Sequence, residues 1–113
     1  MSGITSGSNI TVEGVPTVNT KTSITAASPS SVSAGVVSTS VIPLNVGRKS
    51  IVITNTSAQQ RVSLAIDTSA ILDKGITLYP HAIWVMGEYT FSTGAIHAIS
   101  SMSTVVLSVQ EFN

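Results

Sequence analysis

The chain has 113 residues, no cysteine, and five basic against five acidic side chains, so its formal net charge is zero. This length accommodates one domain, the lack of cysteine excludes disulfides and the usual zinc sites, and the scarcity of cations argues against nucleic-acid binding. Only 9% of the residues are charged, whereas a soluble domain has about a quarter, and the mean hydropathy is +0.43. We therefore expect other protein chains to cover much of the surface.

Residues 1–28 are rich in Ser, Thr, Gly and Asn, and Glu13 and Lys21 are their only charges. Two interpretations are open, a disordered tail or an extended arm that becomes ordered against neighbouring subunits by strand addition. Scattered β-branched residues favour the arm, because disordered segments usually avoid Ile and Val. Its candidate contact residues are Ile4, Ile10, Val12, Val15, Val18 and Ile24.

The predicted boundary between arm and domain lies in the turn-forming residues 27–31, which gives an arm over residues 1–31 and a domain over residues 32–113. Residues 1–7 have neither a basic start nor an apolar run, so we expect no secretory signal. No stretch approaches the ~18–20 apolar residues that span a bilayer, so we expect no membrane association.

The domain reads as a series of short strands with turns between them. A first strand is predicted over residues 37–42, ending at Pro43. Residues 48–55 form the clearest predicted strand. Ile51 and Ile53 are expected to face one side of it, and Val52 and Thr54 the other. Residues 61–66 form the next strand.

A loop over residues 67–74, with room for one helical turn, separates the first strands from the second group. Further strands are predicted over residues 76–78, 83–86, 89–91, 95–100 and 104–111. Seven or eight strands in about 80 residues predict an all-β fold, an antiparallel β-sandwich or jelly-roll-like domain with an extended N-terminal arm.

The residue types that carry catalysis are present, but their pattern is weak. His97 lies among aliphatic residues in a predicted strand, and His81 follows Pro80 at a turn. The acids are far apart along the chain, and neither a Gly-x-Ser-x-Gly elbow nor a glycine-rich phosphate loop is present. A calcium site between Asp67 and Asp73 lacks the usual density of oxygen ligands. We expect no enzymatic activity, no cofactor and no metal.

The few aromatic residues allow two interpretations. An exposed row of them would form a sugar-stacking platform or a binding hot spot, whereas Trp84 and Phe91 could instead fill the core. Residues 83–86 are apolar on both faces of their predicted strand, so one face is expected in the core and the other in a subunit contact. These interface candidates are Ile83, Trp84, Val85 and Met86.

Residues 32–112 resemble a small β-domain found in virion proteins of tailed bacteriophages. The resemblance begins in a Ser/Thr-rich first strand and continues through residues 48–57 and 62–66. It extends through Lys74-Gly75-Ile76-Thr77-Leu78-Tyr79-Pro80 and residues 89–101 to a Val-rich last strand. His81 and Ala82 follow Pro80 where a glycine-containing turn is expected.

The resemblance implies a capsid decoration, or cement, protein on the outer capsid surface of a virion, made in the cytoplasm of the bacterial host. Its implied partners are the major capsid protein and further copies of itself, as a homo-oligomer that we expect to be a trimer. Two alternatives stay open, a tail, fibre or baseplate component with the same fold, and a carbohydrate-binding module for host attachment.

Overall fold

The computed structural model describes residues 24–113, and the described part of the chain contains eight strands and no helix. In chain order they are β1 (Ser30–Ala34), β2 (Thr39–Ile42), β3 (Ser50–Asn55), β4 (Val62–Ile66), β5 (Ile76–Leu78), β6 (Ile83–Val85), β7 (Ile96–Ser100) and β8 (Val105–Phe112).

The strands form two four-stranded antiparallel sheets that pack together. The first sheet has the order β1-β8-β3-β6 and the second the order β2-β7-β4-β5. Four of the strand pairs are those of one long hairpin that is rolled around itself: β1 with β8, β2 with β7, β3 with β6, and β4 with β5. Rolling then places β8 beside β3 and β7 beside β4. This order is that of a jelly roll, so the predicted all-β antiparallel sandwich is confirmed. The predicted N-terminal arm lies largely outside the described residues.

The core lies between the two sheets and is built from alternate residues of the strands. β3 shows the pattern most clearly, because Ile51 and Ile53 are fully buried while Val52 and Thr54 are only partly covered. The buried apolar residues of the core are Ala34, Ile42, Ile51, Ile53, Val62, Leu64, Leu78, Met86, Ile96, Ala98, Val105, Leu107 and Val109.

Some predicted elements differ from the structure. Residues 30 and 31, predicted as a hinge, begin β1, because main-chain pairing with β8 outweighs the turn preference of serine. Residues 89–91, predicted as a strand, lie in the turn region after β6. The first predicted strand begins two residues later than expected, at Thr39, and residues 67–74 are a loop without a helical turn.

A buried arginine joins three segments at one end of the sandwich. The Arg48 side chain is 0% exposed, and its Nε donates to Glu111 Oε2 on β8 at 2.8 Å. Its other nitrogens donate to the main-chain oxygens of Ser92 at 3.1 Å, Gly94 at 2.7 Å and Pro43 at 3.1 Å. The β2–β3 and β6–β7 connections are therefore fixed to the last strand by one guanidinium group.

Asn55 performs the matching role at the other end of β3. It is fully buried, and its Nδ2 donates to the main-chain oxygens of Gln60 at 2.7 Å and Leu78 at 2.9 Å. Its Oδ1 accepts the Ser57 N–H at 2.9 Å. All three hydrogen bonds satisfy main-chain groups, in the β3–β4 connection and at the end of β5, which would otherwise cost free energy to bury.

Arg48→Met should lower the free energy of unfolding by about 3–5 kcal/mol. Glu111 loses its charged partner, and the main-chain oxygens of Pro43, Ser92 and Gly94 lose the donors that the guanidinium supplies. Urea denaturation measures the change. Lys49→Met is the matched control, since Lys49 is exposed, and it should change stability by less than about 0.5 kcal/mol. Equal losses for the two variants would contradict the role of Arg48.

Gly94 is required by a close approach to Asp67. The Asp67 N–H donates to Ala95 O at 2.8 Å, and Asp67 Oδ1 accepts the Ala95 N–H at 3.2 Å. A Cβ atom on Gly94 would collide with the Asp67 carboxylate. The β4–β5 and β6–β7 connections thus meet at a position without space for a side chain.

Gly94→Ala should therefore destabilise the protein by about 1–3 kcal/mol, because the carboxylate must move and its bond to Ala95 weakens. The thermal midpoint and the urea midpoint both measure this. At Gly35 an added Cβ meets no heavy atom within 4 Å, so Gly35→Ala should be neutral or stabilising by up to about 1 kcal/mol. The prediction fails if both alanine variants behave alike.

The turn after Pro80 carries a histidine where a glycine is expected from the resemblance. His81 has a φ of 64°, in the left-handed region that side chains disfavour. Its N–H donates to Asn55 O at 3.0 Å, which holds the turn against β3.

His81→Gly should raise the free energy of unfolding by up to about 1 kcal/mol, because glycine adopts this conformation without steric cost. His81→Val should lower it by about 1–2 kcal/mol, since a β-branched residue is disfavoured there. Both values come from urea denaturation at neutral pH. A valine variant as stable as the parent protein would contradict the assigned strain.

Candidate interaction surface

The outer side of the first sheet is a surface without charge, which we call the open face. It consists of the side chains that alternate with the core residues along β1, β8, β3 and β6. They are Ser31, Ser33, Ser50, Val52, Thr54, Ile83, Val85, Val106, Ser108, Gln110 and Phe112. The open face therefore presents only hydroxyl, amide and apolar groups to a partner.

The strand register arranges these side chains in rows across the sheet. One row crosses all four strands, from Ser31 through Ser108 and Thr54 to Ile83. A second row runs from Gln110 through Val52 to Val85. Each row becomes more apolar towards β6, so the apolar side of the open face lies at the edge of the sheet.

The outer side of the second sheet is different, because the loop over residues 67–75 folds back over it. Ser63 faces outward from β4 but is fully buried, and its hydroxyl accepts the Asp73 N–H at 2.8 Å. Ala70 is 4% exposed, and its N–H donates to Ser38 Oγ at 2.8 Å. One sheet is thus covered by its own chain, and the open face is not covered by the described residues.

An exposed ion pair secures this covering loop. Arg61 donates from Nε to Asp73 Oδ1 at 2.5 Å and from Nη2 to Asp73 Oδ2 at 2.9 Å. The hydrogen bond from Arg61 lowers the pKa of Asp73, and the same bond raises the pKa of Arg61. Because both groups are exposed to solvent, this pair serves mainly to orient the loop.

A cleft of 660 Å³ continues the open face at the Arg48 end of the sandwich. Its lining is largely apolar, with one lysine and one glutamate. The lining residues are Ile24, Lys49, Ser50, Met86, Gly87, Glu88 and Phe91. Ser50 belongs to both the cleft and the open face, so the two surfaces adjoin.

The N-terminal segment reaches the domain at this cleft. Residues 24–27 run antiparallel to the end of β8, with Thr25 and Asn113 exchanging two main-chain hydrogen bonds at 2.6 and 2.8 Å. The Ala27 N–H donates to Glu111 O at 2.9 Å, and Gln110 Nε2 donates to Ala27 O at 3.0 Å. Ile24 thereby lies at the cleft, 40% exposed.

The candidate contact residues divide into three groups. Ile24, Ile83 and Val85 are exposed, the last two at 63% and 58%. Trp84 is half-buried against the core, and Met86 is 3% exposed, so these two support the surface from below. The remaining candidates lie outside the described residues and are Ile4, Ile10, Val12, Val15 and Val18.

The described acids and histidines are not assembled into a reactive site. Glu111 pairs with Arg48, Asp73 pairs with Arg61, and Asp67 binds the Ala95 main chain. His81 is exposed at its turn, and His97 is half-buried on β7. Within residues 24–113 no group of three His, Cys, Asp or Glu side chains could hold a metal ion.

The aromatic residues do not form a row. Trp84 packs against the core, as one of the two interpretations expected. The core interpretation does not hold for Phe91, which is 49% exposed at the cleft, beyond the end of β6. Tyr79 precedes β6 and Tyr89 follows it, which places these exposed residues at opposite ends of the sandwich.

No protein-family model matches the chain, and a comparison with curated proteins also finds no match. Over residues 24–113 there is no helix of the length and apolarity needed to cross a membrane.

Proposed function

We propose that the protein is a structural component of a bacteriophage virion, a decoration protein that binds the outer capsid surface and stabilises the lattice of the major capsid protein. The observation that supports this most is the open face, eleven outward positions on four strands without one charge. A surface of this kind suits a partner that it covers over a wide area, because little charge needs to be desolvated. The resemblance of the strand pattern supplies the virion setting.

In this proposal the protein acts by binding and not by catalysis. A ligand that binds the assembled shell, and not its separated subunits, stabilises the shell by mass action. Copies repeated over a symmetric lattice, each a homo-oligomer, add their modest contacts through avidity. The internal use of Glu111, Asp73 and Asp67 in structural contacts supports the absence of a catalytic role.

Thermal DNA release from phage particles tests the proposal. Particles saturated with the protein should release their DNA at a higher temperature than particles without it. Ser108→Lys should remove this protection, because it places a charge in the row of the open face that crosses all four strands. Superimposable release curves with and without bound protein would overturn the cement role.

The matched control for this test is Ser40→Lys. Ser40 is also an exposed strand serine, but it lies on β2 in the second sheet. Neither substitution should change the stability of the free protein by more than about 0.5 kcal/mol. Protection that survives Ser108→Lys but not Ser40→Lys would place the contact on the other sheet. Density for the chain on the tail instead of the head would favour a tail or baseplate component.

A carbohydrate-binding role is the second candidate, and one observation favours it. Tyr89 is 95% exposed and lies two residues from Phe91, which lines the cleft. Exposed aromatic rings beside a cleft are suited to stacking against sugar rings. A glycan array, with Tyr89→Ala as the control, decides between the two candidates. Trp84 is a poor control, because it faces the core.

A further inference from the structure

The edge of the first sheet at β6 exposes main-chain groups as well as apolar side chains. The Met86 N–H donates to Ile51 O at 3.0 Å, and the Asn55 N–H donates to Ala82 O at 3.0 Å. These bonds fix the alternation of the antiparallel ladder, so Trp84 directs its N–H and C=O towards β3. The N–H and C=O groups of Ile83 and Val85 therefore point away from the sheet, and no described residue forms a hydrogen bond with them.

This edge lacks the features with which sheets usually prevent pairing. Residues 82–87 contain no charge and no proline, and β6 pairs with β3 in regular register. Ile83 and Val85 are 63% and 58% exposed. The β2 edge of the second sheet, by contrast, is interrupted by an irregularity between Ser40 and Ile42. Among the described residues, the shortness of β6 is the one feature that limits pairing at its edge.

We propose that β6 is a self-association site, at which two copies of the chain pair their β6 edges antiparallel about a two-fold axis at Trp84. In this register Ile83 of one copy opposes Val85 of the other, and the reverse pair forms by symmetry. Each pair exchanges two main-chain hydrogen bonds, which gives four in all. The result is one eight-stranded sheet with a continuous open face on one side.

The chemistry of this edge favours a second copy as its occupant. In a two-fold contact, each residue near the axis meets itself or a close neighbour, so charged residues there would repel one another. Residues 82–87 are uncharged, and Ile83 and Val85 present matching apolar side chains to each other.

Engineered cysteines test both the contact and its register, since the chain has no cysteine of its own. In the proposed register, positions 83 and 85 of opposite copies have Cα atoms about 5.5 Å apart, which a disulfide can span. Positions 83 and 83, or 85 and 85, are about 8 Å apart, beyond the reach of a disulfide.

The purified full-length Ile83→Cys/Val85→Cys double variant should therefore form a covalent dimer under mild oxidation. Each single variant should stay largely uncrosslinked under the same conditions. Single variants that crosslink as fast as the double variant would overturn the register. A double variant that does not crosslink, although it is folded, would overturn the contact. This result would not bear on the capsid role, because the experiment involves no particle.

Sedimentation of the free protein provides the second measurement. The parent chain should show a concentration-dependent dimer, and Val85→Lys should raise its dissociation constant at least about tenfold, because a charge then replaces an apolar contact at the edge. Val46→Lys is the matched control, since Val46 is 83% exposed in the β2–β3 connection, away from β6. A monomer at about 100 µM, or a trimer that Val85→Lys leaves intact, would overturn the proposal.

Discussion

The buried guanidinium of Arg48 is the interaction on which the arrangement of this sandwich depends. A guanidinium group has five N–H donors, and four hydrogen bonds connect it to Glu111 and to main-chain oxygens of two connections that cross between the sheets. Burial of such a charge is costly unless it is paired and fully bonded. Its partners come from residues 43, 92, 94 and 111. The guanidinium therefore has all its hydrogen-bond partners only when β8 and both connections are in place.

Arg48 and Asn55 together define the register of the central strand β3. A strand whose outer face is uncharged and partly apolar has little to oppose a slip by one residue, because the two faces differ less than usual. β3 has this character, with Val52 and Thr54 opposite Ile51 and Ile53. A slip would remove Arg48 and Asn55 from the oxygens that they bind at the two ends of the strand. These two buried polar groups thus supply the specificity that surface charges supply elsewhere.

The pattern of apolar and turn-forming residues along the chain was enough to predict the all-β class and the positions of β3, β4, β5, β6, β7 and β8. It could not predict β1, because Ser30–Ala34 is a serine-rich segment that becomes a strand through its pairing with β8, more than 70 residues away. The role of Arg48 was equally hidden, since its carboxylate partner is 63 residues further along the chain. The lack of charge at residues 83–86 was visible in the sequence. That the N–H and C=O groups of Ile83 and Val85 point away from the sheet could be known only from the pairing of β6 with β3.

Among residues 24–113, most of the few charged side chains hold parts of the fold together. Glu111 and Arg48 hold the roll together, while Arg61, Asp73 and Asp67 position the connections. Four charged side chains of the described part are left without an ion-pair partner among residues 24–113, namely Lys49, Asp67, Lys74 and Glu88. Lys49 and Glu88 line the cleft beside the open face. The eleven outward positions of the open face itself carry no charged group that would hydrate it or repel a second copy. Because most of the described charged side chains stabilise the fold, the open face and its β6 edge carry none and are suited to contact with protein.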